Sequence, residues 1–291
     1  MKTLTIFTPT YNRCHTLCRT YESLTHQTCM DFEWLIIDDG STDNTQQLVD
    51  EWIKIGKIPI RYIYKENGGL YTGYNTAFSN IETELSVCVD SDDFMPDNAV
   101  ELIVNHWRKY GSDKYVGITG LDFTLDGHPI GGMFDESLFE AHIIDMKHPG
   151  DAKQVFRTNL VKALLPMEGF ENEKNFNPHY LYMLLDNDYP SLILNKNLCF
   201  VEYQEADSMS AGIFRQYLNS PRSFAKMRIA EMNQRHTNWK NLIRVAIHYN
   251  SSCFIYREKD WLKKSPKKVL TLLCRPLGWM LSKYIKYKAK E

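Results

Sequence analysis

Four apolar runs, each followed by a polar cluster and then by a segment of helical period, constrain this chain more than any other feature. Residues 4–8 alternate as a strand that Pro9 stops. Residues 32–37 form a nearly continuous apolar run, residues 60–64 a third strand and residues 85–89 a fourth. Helical faces lie between and after them: Leu17, Tyr21 and Leu24; Leu48, Val49, Trp52, Ile53 and Ile55; Tyr74, Ala77, Phe78 and Ile81; then Leu102, Ile103 and Trp107 in a helix expected to open on Pro96. Strands alternating with helices specify an α/β fold, a doubly wound, mostly parallel sheet with flanking helices and right-handed crossovers. In such sheets ligands bind beyond the carboxyl ends of the strands. The polar clusters at residues 8–13, 38–43, 67–69 and 90–93 all fall at such an end, so four loops converge on one edge.

The fourth cluster carries the most chemistry. Val87-Cys88-Val89 runs straight into Asp90-Ser91-Asp92-Asp93. If the chain stays extended there, Asp90 and Asp92 point to the same side. Two same-side carboxylates repel unless a cation sits between them. Mg²⁺ and Mn²⁺ take oxygen ligands and often share their coordination sphere with substrate phosphates. The plainer alternative is a solvated acidic turn. No GxGxxG follows the first strand and no GxxxxGK[ST] occurs, so the dinucleotide and P-loop readings lose their usual support, while side-chain carboxylates and a metal-bridged diphosphate can still hold a nucleotide.

Composition narrows the class. A chain of 291 residues with 43% apolar content can bury a substantial core, and a net charge of −2 gives no global footprint for nucleic acid. Seven cysteines are scattered without a CxxC pair, and Cys14 and Cys18 lie one helical turn apart, which suits reduced thiols and a cytoplasmic location. The amino terminus reads as a strand rather than a secretion signal. No apolar run reaches the ~18 residues of a membrane span.

Thr8-Pro9-Thr10-Tyr11-Asn12-Arg13, Asp38-Asp39-Gly40-Ser41-Thr42-Asp43, Asn67-Gly68-Gly69 with Asn75 downstream, and Asp90-Ser91-Asp92-Asp93 resemble the successive signatures of family 2 glycosyltransferases. The resemblance is close over residues 1–120 and looser to about residue 210. It implies the GT-A fold and inverting transfer of one sugar from a nucleotide-sugar, most often a UDP-sugar, to a glycan or lipid-linked acceptor in cell-surface polysaccharide synthesis. It implies that Thr8, Pro9, Tyr11, Arg13, Asn67, Gly68, Asn75 and Ser91 line the donor site. Asp39 is expected to accept a hydrogen bond from the base, Asp90 to sit near ribose and metal, and Asp92 to ligate Mn²⁺ or Mg²⁺. The implied domain layout is 1–210, with a nucleotide half (1–120) and an acceptor half (121–210), then a helical region (211–291).

In this family the second half supplies the catalytic base from an acidic segment. Gly169-Phe170-Glu171-Asn172-Glu173-Lys174 resembles the Glu-Xaa-Glu-Lys-Phe pattern of one branch, with Asn175 intruding before Phe176 and His179 where Glu is common. The expected order of candidates is Glu173, Glu171, His179. His142 and His148 read as ordinary surface or partly buried histidines. Residues 116–123 read as a further strand, and residues 159–165 as a helix led in by Lys153 and Arg157. Residues 222–256 have helical spacing. Beyond them, Lys263-Lys264-Ser265-Pro266-Lys267-Lys268 precedes an apolar segment interleaved with lysines and broken at Arg275-Pro276. Such a segment is expected to lie in the interface of an anionic membrane, placing the protein peripherally on the inner face; the alternative is a helix packed on the body.

Two rivals remain at this point. A haloacid-dehalogenase-like phosphatase also uses DxD, but after its first strand. A non-catalytic sugar-binding module needs neither metal carboxylates nor a nucleotide pocket. Processive synthases of the same fold carry a QxxRW motif, which is absent here.

Overall fold

A computed structural model describes residues 2–146, 148–202, 212–235 and 237–290. Its strands are β1 (Leu4–Thr10), β2 (Phe32–Asp38), β3 (Ile60–Tyr64), β4 (Leu85–Cys88), β5 (Gly117–Phe123), β6 (Glu140–Ala141), β7 (Ala152–Arg157) and β8 (Ser191–Phe200). The helices of the first half are α1 (Cys14–Thr25), α2 (Thr45–Ile55), α3 (Leu70–Asn80) and α4 (Ala99–Tyr110), followed by α5 (Thr158–Lys162) and α6 (His179–Asp186). Those of the last third are α7 (Ile213–Asn219), α8 (Pro221–Asn233), α9 (Trp239–Tyr256), α10 (Trp261–Lys264), α11 (Lys268–Leu273) and α12 (Arg275–Lys288).

The strands form one sheet in the order β3-β2-β1-β4-β7-β5-β8-β6. β3, β2, β1 and β4 are parallel, as the alternating pattern requires, and β5 is parallel to β8. β7 enters antiparallel between β4 and β5, and β6 closes the edge antiparallel to β8. The core on one side of this sheet joins Leu4, Ile6, Trp34, Ile36, Leu85 and Val87 to Leu17, Leu24, Ile103 and Val104 of the helices. Tyr21 stacks on Trp52 with ring centroids 4.3 Å apart, and both lie against Trp34.

The chain separates into two compact units: Met1–Gly68 with Thr72–Met167 and Asp188–Glu202, and Gly69–Tyr71 with Glu168–Asn187 and Tyr203–Glu291. The first holds the whole sheet and the second is helical. The expected boundary at residues 210 and 211 lies outside the described residues.

Three local expectations need correction. Pro9 does not stop β1: the strand runs on to Thr10, with Pro9 in register with Ile37. Pro96 does not open α4: the helix starts at Ala99, whose N–H closes a turn onto the Pro96 carbonyl (3.0 Å). Residues 152–157 are not a polar lead-in to a helix but strand β7, with Lys153 and Arg157 buried.

Candidate active site

Parallel registration brings the first three strand ends side by side. Thr10 pairs with Asp38, and Asp38 with Tyr64. β4 runs beside β1 as far as Phe7 and Cys88, and the Val89 N–H still reaches the Phe7 carbonyl (3.0 Å). The four polar loops are therefore neighbours on one edge.

The first two loops lock together. Asn12 adopts a left-handed backbone (φ 54). Its N–H donates to Ser41 Oγ (2.8 Å), and its side-chain oxygen accepts the Thr42 N–H (2.8 Å). Asp43 accepts the first N–H of α1, from Cys14 (3.1 Å), and the Thr45 hydroxyl (2.6 Å). Burial alone would raise the Asp43 carboxyl, but these hydrogen bonds hold it down to about 2. Asp38 is buried, accepting the Ser41 N–H (2.7 Å) and the Tyr62 hydroxyl (2.6 Å). Asp39 is buried as well; it accepts from the Lys65 ammonium and from the Gly68 N–H (3.0 Å), tying the loop after β3 to the loop after β2. Gly40 permits that approach, with φ +88 and space for a Cβ only 2.9 Å from the Asn67 backbone nitrogen.

The acidic stretch is a turn, not a continued strand. β4 ends at Cys88, and the Asp93 N–H donates to the Asp90 carbonyl (3.0 Å). Strand alternation therefore does not set the relation of Asp90 to Asp92; the turn does. Asp90 is exposed, Asp92 half-buried, and Ser91 and Asp93 buried. Burial and then the Asp90 charge raise the Asp92 carboxyl, against the pull of the Arg13 and Arg19 guanidiniums. Helix α1 clamps the turn from behind. Arg19 Nη2 donates to the Asp92 carbonyl (2.9 Å) and to Glu202 Oε2 (2.6 Å), and its guanidinium lies over the Phe94 ring. Thr20 Oγ1 donates to the Asp93 carbonyl (2.7 Å), and Ser23 Oγ accepts the Met95 N–H (3.2 Å). Phe94 and Phe200 exchange backbone hydrogen bonds at 3.2 and 2.7 Å.

Beneath the turn lies an ion cluster that sequence reasoning did not find. Lys153 Nζ sits 3.8 Å from Asp93 Oδ2 and 3.6 Å from Asp122 Oδ1, with all three residues buried. Burial pushes Asp93 up to about 7; Lys153 opposes this, while Asp90, Asp92 and Asp122 add to it. Burial would lower the Lys153 ammonium, but Asp122 and Asp93 hold it charged. A lysine and an aspartate on strands remote in sequence carry no spacing signal, and only the insertion of β7 beside β5 brings them together.

Among the described residues no group of three or more His, Cys, Asp and Glu side chains is gathered as a metal cage. The donor set nevertheless fits a hard divalent cation. Asp90 and Asp92 offer carboxylate oxygens at an accessible turn, and such ions are commonly held by one or two carboxylates with water and substrate phosphates completing the shell.

Several expected site residues have other work. Thr8 is fully buried and accepts the Trp34 indole N–H (2.9 Å), so its hydroxyl belongs to the core. Asn75 clamps Met167, accepting its N–H (2.8 Å) and donating to its carbonyl (3.1 Å). Tyr11 is 48% exposed at the loop crest.

In the second unit, Glu173 is 4% exposed and its carboxylate is saturated. Oε1 accepts Arg222 N (3.1 Å) and Nε (3.0 Å), and Oε2 accepts Ser223 N (2.8 Å) and Oγ (2.8 Å). It thereby satisfies free N–H groups in the first turn of α8. The sequence-based ranking that put Glu173 first as base meets a physical objection: four donors occupy its lone pairs. Glu171 is exposed in the adjoining turn, with its backbone carbonyl held by Arg222 Nη2 (2.6 Å). His179 is exposed at the start of α6, its ring 5.9 Å from that of Tyr182.

An acidic turn at the fourth strand end, three companion loops and a β-sheet extended by an antiparallel insertion define a glycosyltransferase of the GT-A type. Residues 5–130, somewhat less than half of the chain, match Glycosyl transferase family 2. It is 29% identical over 198 residues to Escherichia coli chondroitin synthase, covering 68% of this chain but 28% of that one. It is 27% identical over 221 residues to the poly(ribitol-phosphate) beta-N-acetylglucosaminyltransferase TarP of Staphylococcus aureus strain N315, covering 68% of each. The structure of S. aureus TarS 1-349 aligns with a TM-score of 0.63 at 17% identity, over 100% of this chain and 92% of that one. The same TarS fragment in complex with UDP-GlcNAc gives 0.59 at 19%, over 94% and 79%.

Proposed function

We propose that the protein is an inverting, metal-dependent enzyme that moves one sugar from a UDP-sugar to a glycan or lipid-linked acceptor in cell-surface polysaccharide synthesis, at the cytoplasmic face of a membrane. The observation that carries this reading is the Asp90–Asp93 turn, clamped by α1 and set beside the interlocked loops of β1, β2 and β3. TarS, which shares the fold, has been crystallised with UDP-GlcNAc, and this supports a UDP-sugar donor.

Asp90 and Asp92 would hold Mn²⁺ or Mg²⁺, which would supply positive charge to offset that of the diphosphate. Arg13, close enough to lower the Asp92 carboxyl, adds positive charge on the same side. Asp39 fixes the pocket by holding Lys65 and Gly68 and presents the donor base with an acceptor. Pro9, Tyr11, Asn67 and Ser91 complete the nucleotide side. The proton of the attacking hydroxyl goes to a side-chain base, a step worth typically ~10²–10⁴-fold. We assign it to Glu171, whose carboxylate is exposed, with His179 next; Glu173 is the anchor of α8.

The test is hydrolysis of UDP-GlcNAc, UDP-glucose, UDP-galactose and GDP-mannose by the full chain, stripped with chelator and then supplied with Mn²⁺. The expected result is Mn²⁺-dependent cleavage of one UDP-sugar, accompanied by a UDP-plus-Mn²⁺ thermal shift. Turnover unaffected by chelation, or preference for the GDP-sugar, would overturn the metal or donor assignment respectively.

A further inference from the structure

α12 is mounted with its larger apolar side chains outward. Gly278, Ser282 and Ile285 are buried on the side that packs against α9, and Gly278 allows the close approach, since a Cβ there would lie 2.3 Å from the Asn250 Cβ. Leu277, Met280, Tyr284 and Tyr287 recur at helical spacing on another face and are 49–62% exposed. α11 repeats the arrangement: Thr271 is buried, while Val269, Leu272 and Leu273 are 55–74% exposed. Apart from Ile285, the buried residues of these helices are small or weakly polar (Thr271, Gly278 and Ser282), while most of their large apolar side chains face water. A helix serving only as a packed surface element has the opposite distribution.

Charge identifies what covers this face. Residues 261–290 contain nine Lys and Arg and no Asp or Glu, in a chain of net charge −2. Lys264 pairs with Glu258, and Arg275 is sandwiched between the Phe254 and Trp261 rings. Lys267, Lys268, Lys283 and Lys286 are exposed beside the apolar stripe, and Lys283 lies over the Trp279 ring (5.6 Å). No helix among the described residues is long and apolar enough to cross a membrane. An apolar stripe bordered by lysines, with aromatic rings at the border, matches an anionic lipid interface, where the stripe enters the acyl boundary and the ammonium groups meet headgroup phosphates.

We propose that the outward faces of α11 and α12 form a docking surface for an anionic phospholipid bilayer, with the helices lying in its plane. This rests on, and deepens, the reading of a transferase at a membrane face.

The test is co-sedimentation of the full chain with phosphatidylglycerol/phosphatidylcholine vesicles and with pure phosphatidylcholine vesicles. The expected result is binding to the anionic vesicles only, weakened by salt. Lys267→Gln/Lys268→Gln/Lys283→Gln should lower it about a hundredfold, at roughly fivefold per lysine. Leu273→Glu/Met280→Glu, which alters only exposed positions, should abolish it while leaving solution donor hydrolysis unchanged. Equal vesicle binding by wild type and the Leu273→Glu/Met280→Glu protein, or none by wild type, would overturn the proposal. So would a wild-type dimer that this variant renders monomeric without any vesicle binding, since a second copy would then be the occupant. Donor hydrolysis absent from a wild type that still binds vesicles would overturn the catalytic reading and leave this one standing.

Discussion

Replacing Lys153 by methionine tests the ion cluster under the acidic turn. Its side chain is 11% exposed, with the ammonium 3.6 Å from Asp122 Oδ1 and 3.8 Å from Asp93 Oδ2. Each pair is worth about 4 kcal/mol at an effective dielectric of ~20, much of it offset by the cost of burying the charges. Deletion of the cation leaves two buried carboxylates facing each other, and breaking a buried pair from one side typically costs ~3–5 kcal/mol. That is the expected loss at pH 7.5. pH supplies a sign test. Burial raises both carboxyls, Asp93 to about 7. A raised acid holds a proton in the folded state that the unfolded chain has released, so its contribution is greatest at and below ~3.9 and is lost as pH climbs toward 7. The destabilisation by Lys153→Met should therefore be smaller at pH 5 than at pH 7.5. Urea melts followed by fluorescence of the buried Trp34 and Trp52 read it as a shift in midpoint at constant slope. Adding Asp122→Asn should recover about half of the loss. A loss below ~1 kcal/mol at pH 7.5, or no recovery in the double variant, would refute the reasoning.

Asp92→Asn should reduce transfer by at least ~100-fold with an unchanged melting temperature, and near-normal turnover in a folded variant would remove the metal role. Glu171→Gln should lose most transfer while keeping donor hydrolysis and stability, whereas Glu173→Gln should lower the melting temperature because it strips acceptors from α8; the reverse pattern in paired activity and melting assays would return the base to Glu173. Asp43→Ala should cost about 1–2 kcal/mol by uncapping α1, read by urea titration, and it should also raise the donor KM because the first two loops come apart. A KM unchanged in a destabilised protein would separate the cap from the site.

The parallel half of the sheet was legible because its strands are apolar runs and the loops Asp38-Asp39-Gly40 and Asn67-Gly68-Gly69 punctuate them, although β1 runs through Pro9. β7 and β8 escaped. Ala152–Arg157 carries a lysine and an arginine that read as solvent-facing, and Ser191–Phe200 passes through Asn195, Lys196 and Asn197. Their burial follows from partners far away in sequence. The place of the acidic cluster after the fourth strand was legible but its shape was not, since nothing in Asp90-Ser91-Asp92-Asp93 says that the strand stops at Cys88. The partners of Glu173 were hidden for a similar reason: the Arg222 and Ser223 that occupy its carboxylate lie about fifty residues further on.

The place of β7 between β4 and β5 has a consequence for how the protein is made. On the ribosome the chain delivers β1 to β4 early, but the neighbour that flanks β4 is not synthesised until residue 157, and the Phe200 backbone that holds Phe94 comes later still. About 60 residues separate Asp93 from Lys153, roughly 3–12 s of synthesis during which Asp93 lacks its cation, and the backbone pairing of Phe94 with Phe200 waits longer still. Cut at residue 130, the stretch of residues 5–130 would keep the four strand-end motifs and lose the cation that sits beside Asp93 and Asp122.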